Sequence, residues 1–314
     1  MLPLLILSGL SSCIRDGLME CPPILDYNVK VVVRMPGGNV KSYYDFKVQS
    51  IDMYVFHESD GAYVDGYKRT YNAAAETEFF FDLPPGNYRF VAWANPGFPY
   101  KVNYTREECI QQGITYKQMI NYFESGTDKT VRDDMPDLLF GHLTHAEVEI
   151  TKNEFFVVQA IPYTNIINLT AEGLPANTNG YTLSVIDDNS HYTFDNNYIP
   201  AGLIPERTLK YERILKTNSP YKQTASIKVL RLTDPDFYPD KINPVISLTD
   251  NATSAIIYEK DLIQIIKTSY LNNSQILDFD KETVFDITLQ FDVNLDVTIS
   301  VNGWNMSDQP EELE

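Results

Sequence analysis

Residues Glu76 to Asn95 read ETEFFFDLPPGNYRFVAWAN, and this stretch decides the fold class. Two runs rich in aromatic and β-branched residues, Glu76–Leu83 and Asn87–Ala94, flank Pro84-Pro85-Gly86-Asn87. Such residues suit a pleated, half-buried surface. Proline presets φ and glycine admits positive φ, so the segment between the runs is a chain reversal. Strand, tight turn and strand together predict a β-hairpin.

The same signature recurs outward from this segment. Asn28–Met35 and Ser50–Glu58 read as strands on the N-terminal side, and Ala146–Thr151 closes the first half. Further strands are expected at Phe155–Ile161, Asn165–Ala171, Tyr181–Asp187, Thr208–Lys216, Thr224–Leu232 and Val245–Thr249. From Phe285 to Val301 the apolar residues all fall on odd positions. A hairpin keeps that parity on one face only if its loop has an odd number of residues, and three residues near Asp292-Val293-Asn294 would serve. Two helical insertions interrupt the pattern. Thr105–Ser125 reads as one or two short helices opened by a Thr105/Glu108 capping box. Tyr258, Leu262, Ile265 and Ile266 fall at helical spacing. Many short strands with turns between them predict a mainly β chain of two tandem β-sandwich domains. The expected boundary lies near residue 152, giving domains 28–152 and 153–306 and an acidic tail, 307–314.

The 314 residues are 43% hydrophobic and 12% aromatic, enough to bury a sizeable core. Lysine and arginine number 25 against 43 acidic residues, a net charge of −18. Such a chain repels polyphosphate, which argues against a nucleic-acid partner.

The N-terminus sets the compartment. Leu2–Leu10 is an apolar run too short to span a bilayer but of the length of a secretory signal. Leu10-Ser11-Ser12-Cys13 then matches a bacterial lipobox. Residues 1–12 are therefore expected to be removed and Cys13 to be acylated, leaving residues 13–27 as a tether and several acyl chains to hold the protein on its membrane. No Lys or Arg precedes the apolar run, which points to a start a few residues upstream. Arg15 rather than an aspartate stands shortly after Cys13, which favours the outer membrane. With Cys13 lipidated, Cys21 and Cys109 remain. In an oxidising compartment they form a disulfide or stay as two buried thiols, and spacing alone leaves both open.

No specific catalytic kit is present. The chain has no nucleophile elbow, P-loop, dinucleotide fingerprint or HExxH sequence. His142, His145 and Asp137 match no standard zinc spacing and read as solvated side chains. Asp133-Asp134 and Asp187-Asp188 are adjacent residues, which on a strand point to opposite faces, so they read as surface charge. Trp93 and Trp304 lie among apolar residues and read as core. The sequons at Asn103, Asn168, Asn251, Asn272 and Asn305 carry little weight behind a lipobox. Neither catalytic residues, a metal site nor a cofactor is expected.

Four features together resemble the FimB-like fimbrial anchor subunits, relatives of the fimbrillin pilins of Gram-negative gut and oral bacteria. They are Cys13 followed by Cys21-Pro22, the Phe81–Asn95 segment, Leu138-Leu139-Phe140-Gly141, and Val301-Asn302-Gly303-Trp304. The resemblance implies two transthyretin-like sandwiches and an outer-membrane lipid anchor through Cys13, exposed at the cell surface at the base of a fimbrium. Its implied partners are pilin subunits, joined by strand addition to a sheet edge. A surface lipoprotein that binds glycans is the alternative from another functional class.

Overall fold

The computed structural model describes residues 27–36, 46–72, 76–150, 152–195, 208–219, 221–238 and 240–305. The lipobox, Cys13, Cys21 and the acidic tail lie outside the described residues. Strands β1 (Val29–Arg34), β2 (Ser50–His57), β3 (Tyr63–Thr70), β4 (Thr77–Phe81), β5 (Gly86–Ala94) and β6 (Tyr100–Val102) precede helix α1 (Arg106–Gln112). β7 (Ile120–Phe123), β8 (Thr130–Val131), β9 (Leu139–Val148) and β10 (Glu154–Pro162) follow. Then come β11 (Thr164–Glu172), β12 (Tyr181–Asp187), β13 (His191–Thr193), β14 (Leu209–Ile214), β15 (Lys216–Ser219), β16 (Lys222–Leu230), β17 (Val245–Asp250) and β18 (Ile256–Asp261). Helix α2 (Leu262–Asn272) and strands β19 (Val284–Phe291), β20 (Val297–Val301) and β21 (Trp304–Asn305) complete the chain. The protein is mainly β. Among the described residues no helix is long and apolar enough to cross a membrane.

The first half of the chain holds one seven-stranded sheet, ordered β3-β2-β5-β9-β10-β1-β4, that folds over on itself. β10 pairs with β9 at only three positions but with β1 at six, so it leaves one layer and joins the other. Gly141 sits at this corner. A Cβ there would lie 2.7 Å from Val158 Cγ1 and 2.9 Å from the Gln159 carbonyl oxygen, so only glycine permits the close approach. Between the layers Val29, Val31, Met53, Phe79, Phe81 and Phe90 form an apolar core.

β2 and β5 are buried on both faces, which explains their nearly continuous apolar sequences. Their second face carries Tyr54, Phe56 and Trp93 into a larger core shared with the second half. The Trp93 ring lies 4.6 Å from that of Phe140 and 5.3 Å from that of Tyr163. The second half has a six-stranded layer, β15-β16-β11-β19-β20-β21, and a five-stranded layer, β18-β17-β12-β14-β8. A small sheet, β13-β7-β6, lies beside them. The halves exchange strands: β8 pairs with β14, and β13 with β7.

Several expectations need correction. The Glu76–Ala94 segment is not a hairpin. β4 pairs with β1, while β5 pairs with β2 and β9. Pro84-Pro85-Gly86 instead carries the chain from one layer to the other, and the Tyr88 hydroxyl fixes the crossing by donating 2.7 Å to the Pro84 carbonyl. The strand Glu154–Pro162, assigned from sequence to the second half, pairs within the first, and the sheets change over at Tyr163 rather than near residue 152. The capping box on α1 is present, with Glu108 Oε2 accepting 2.7 Å from the Thr105 amide. Ile120–Phe123, within the stretch read as one or two short helices, is a strand: Asn121 and Phe123 are buried while its backbone pairs with β6 and β13. The strand expected at Ala146–Thr151 is β9, which starts at Leu139 and ends at Val148. Tyr258 belongs to β18 rather than to α2. The C-terminal hairpin keeps its odd parity, pairing Ile287 with Val301, Leu289 with Ile299 and Phe291 with Val297. Its loop is therefore 292–296, odd in number but longer than expected.

Candidate functional site

Folding one sheet into two layers brings its end strands, β3 and β4, face to face without pairing their backbones. The outward polar groups of β4 are met by side chains of β3. The Tyr67 hydroxyl accepts from the Phe80 amide at 2.6 Å and lies 3.3 Å from the Phe80 carbonyl, to which it donates. The Arg69 guanidinium donates to the Glu78 carbonyl. The Tyr67 ring also packs 5.2 Å from Phe79 and 5.3 Å from Phe81. A main-chain edge held by two side chains is satisfied but not zipped, since a side-chain hydrogen bond is worth only about 0.5–1.5 kcal/mol net. Open edges of this kind template strand addition.

The inner side of β3 is tightly fixed. A Cβ on Gly66 would lie 2.3 Å from the Met53 carbonyl oxygen, so β2 and β3 approach there as only glycine allows.

A cleft of about 1090 Å³ opens beside β3, between the end of β2, residues 134–137 and the outer face of β11 and β16. Lys47, Lys68, Arg213, Lys216 and Lys228 line it, against Asp134 and Asp137. Both carboxylates are engaged: Asp137 with Lys228 at 2.5 Å and Asp134 with Arg213 at 2.9 Å. Buried Asp137 also accepts the Lys47 amide at 2.8 Å, which ties the cleft floor together. Among the described residues no ion pair involves Lys47, Lys68 or Lys216. A chain of net charge −18 therefore presents a locally basic cleft. Phe98, 82% exposed, stands in its lining.

The residues singled out from sequence are scattered. His142 and His145 are exposed on β9, and Asp137 pairs with Lys228 instead of facing them. Among the described residues no cluster of three or more His, Cys, Asp or Glu could hold a metal. Asp133 and Asp134 are exposed. Asp187 and Asp188 are not surface charge: both are buried against Lys241. The chain ends its alternating run at Asp187, so the rule that neighbouring strand residues face opposite ways no longer governs the pair. Trp93 is fully buried, whereas Trp304 is partly buried against Tyr270, with ring centroids 5.0 Å apart. Cys109 is buried with its thiol 3.8 Å from Met119 Sδ, and burial pushes the thiol up to about 11. Its pairing with Cys21 involves a residue outside those described. Sequence reasoning missed the β3–β4 edge and the cleft. β3 shows little alternation because, after Tyr63, its residues are only half-buried or exposed.

A family model for the fimbrillin-A associated anchor proteins Mfa1 and Mfa2 matches residues 19–310. Comparison with curated proteins found no match. Three solved structures share the fold. A candidate polysaccharide-binding protein of Bacteroides thetaiotaomicron has 18% identity and a TM-score of 0.72, over 92% of this chain and 100% of that one. A candidate adhesin of the same species has 20% identity and a TM-score of 0.68, over 92% and 99%. The fimbrial anchor protein Mfa2 of Porphyromonas gingivalis has 19% identity and a TM-score of 0.67, over 88% and 98%.

Proposed function

The chain belongs to the family of the fimbrillin-A associated anchor proteins Mfa1 and Mfa2, and from that premise we propose that it is an outer-membrane lipoprotein holding a fimbrial shaft on the cell surface. Cys13 is the lipid attachment point in this reading, at the end of the Leu10-Ser11-Ser12-Cys13 lipobox. The observation that carries the shaft contact is the β3–β4 edge. A pilin strand laid along β4 exchanges the Tyr67 and Arg69 side-chain hydrogen bonds for a main-chain ladder. Partner contacts thus cost three side-chain hydrogen bonds and gain a strand pairing.

The basic cleft supports a second reading, capture of a surface glycan. Its free ammonium groups and exposed Phe98 ring suit an acidic sugar chain.

A Cys13→Ala variant in the source cell tests the first reading. It is expected to be shed into the medium with pilin subunits attached. Native protein that stays on the membrane but brings down no pilin would contradict the anchoring role while leaving the lipid attachment intact. Retention on a polysaccharide column would then favour the second reading.

A further inference from the structure

Asp187 ends β12, Asp188 follows it, and Lys241 lies on the segment that leads into β17. The side chains of Lys241 and Asp187 are 0% exposed and that of Asp188 is 3% exposed. Lys241 Nζ contacts Asp187 Oδ1 directly and stands 3.1 Å from Asp188 Oδ1. Asp188 Oδ2 accepts from the Ile242 amide at 3.4 Å. Tyr192 and Tyr211, both buried, lie near Asp187. Asp187 Oδ2 and the Tyr192 hydroxyl are buried without a hydrogen-bond partner among the described residues.

One ammonium and two carboxylates make a poor buried ionic site. Each ion costs several kcal/mol to desolvate, and the two carboxylates stand side by side on one ammonium. An apolar interior instead favours the neutral form of the acid. Burial pushes the Asp187 carboxyl up to about 6 in the same direction. An amine held against a neutral carboxylic acid, with a second carboxylate in reach of the nitrogen and bulk water excluded, has the parts needed for amide formation.

We propose that Lys241 and Asp187 condense to an intramolecular isopeptide bond, with Asp188 carrying the proton between them. One proton passes from the Lys241 ammonium to Asp187, giving amine and acid. The Nζ lone pair attacks Asp187 Cγ, and a C–N bond forms. Asp188 takes a proton from the nitrogen and delivers it to the Asp187 hydroxyl, which leaves as water when its C–O bond breaks. The products are one neutral amide, one water and the Asp188 carboxylate, so atoms and charge balance with no oxidant or cofactor. Proximity supplies most of the drive, because attacking and attacked groups are already in contact. Loss of the water to bulk favours the closed form.

The link joins positions 54 residues apart. It ties the end of β12 to the chain entering β17, two strands that are already neighbours in the five-stranded layer. Such a staple restricts the unfolded chain as a disulfide does. Unlike a disulfide, it survives reducing agents.

The test is a tryptic digest of the full-length native protein with fragmentation of the peptides. The expected result is no cleavage after Lys241, and a branched peptide lighter by one water than its two arms, with the link placed between Lys241 and Asp187. Asp188→Asn keeps amine and acid but loses the proton carrier, and the rate of linking after refolding is expected to fall ~100-fold or more. Lys241→Arg keeps the charge and is expected to give linear peptides only. Linear peptides cut after Lys241 in the native protein would overturn the proposal. So would a link to Asp188 instead of Asp187, or undiminished linking in Asp188→Asn.

Discussion

The outer edge of β4 and the end of β12 both present polar groups that need partners, and the two halves of the molecule meet that need in opposite ways. At β4 the partners are the Tyr67 and Arg69 side chains, at the sandwich margin, where they can be exchanged. At β12 the partner is Lys241, wholly buried together with Asp187, where nothing can be exchanged. In the proposed anchoring role, which asks the chain to hold a partner strand under load, this division is an advantage. The first half offers an edge whose present bonds are weak. The second closes around contacts that are costly to break.

The largest effect is expected where the sealed side is broken. Lys241→Met leaves two buried carboxylates without their cation, and the chain should lose about 3–5 kcal/mol in urea unfolding. Its pH response has a definite sign. Asp187 has a folded-state pKa raised from 3.8 to about 6 by burial, with Lys241 opposing that shift. A raised carboxyl stabilises the fold fully below the unfolded value and loses that contribution as pH rises through the folded one. Stability of Lys241→Met should therefore fall as pH rises from about 4 to 6 and beyond. An Asp187 held as an amide has no proton to lose, so the native chain should show no such slope. A matching slope in native protein would erase the contrast between the sealed and open regions.

A smaller loss is expected where β3 is pinned. Gly66→Val drives a side chain into the Met53 carbonyl and should cost about 1–3 kcal/mol. Because β3 carries Tyr67 and Arg69, the same change should speed hydrogen exchange at the Phe80 amide. Equal exchange in both proteins would mean that β4 is protected by something other than β3. The smallest loss belongs to Tyr67→Phe, which removes one exchangeable partner and should cost about 0.5–1.5 kcal/mol in thermal or urea unfolding.

Local pattern made much of the fold legible. The odd positions from Phe285 to Val301 carried the final hairpin, and Thr105 with Glu108 marked the start of α1. Pairing was less legible. Pro84-Pro85-Gly86 announces a chain reversal, but whether its flanking strands pair or part depends on which layer offers the deeper core. That core is built from Val31, Phe90 and other residues far apart in sequence. The candidate site was hidden for the same reason. Lys47, Lys68 and Lys216 become neighbours only once β3 and β15 border one cleft, and Tyr67 reaches Phe80 only because the sheet folds over at Gly141. The buried Asp187-Asp188 pair resembled ordinary surface charge since Lys241 lies 54 positions from Asp187.

The account stands on β4 being the edge that receives a partner strand, and Phe80→Pro tests it most directly. The Phe80 amide faces outward to Tyr67 rather than to β1, so proline there removes the edge donor and spares the β1 pairing. The variant should fold and remain on the membrane like the native chain, but co-purify no pilin. A folded, membrane-held Phe80→Pro protein that brings down as much pilin as the native chain would contradict the assignment of this edge.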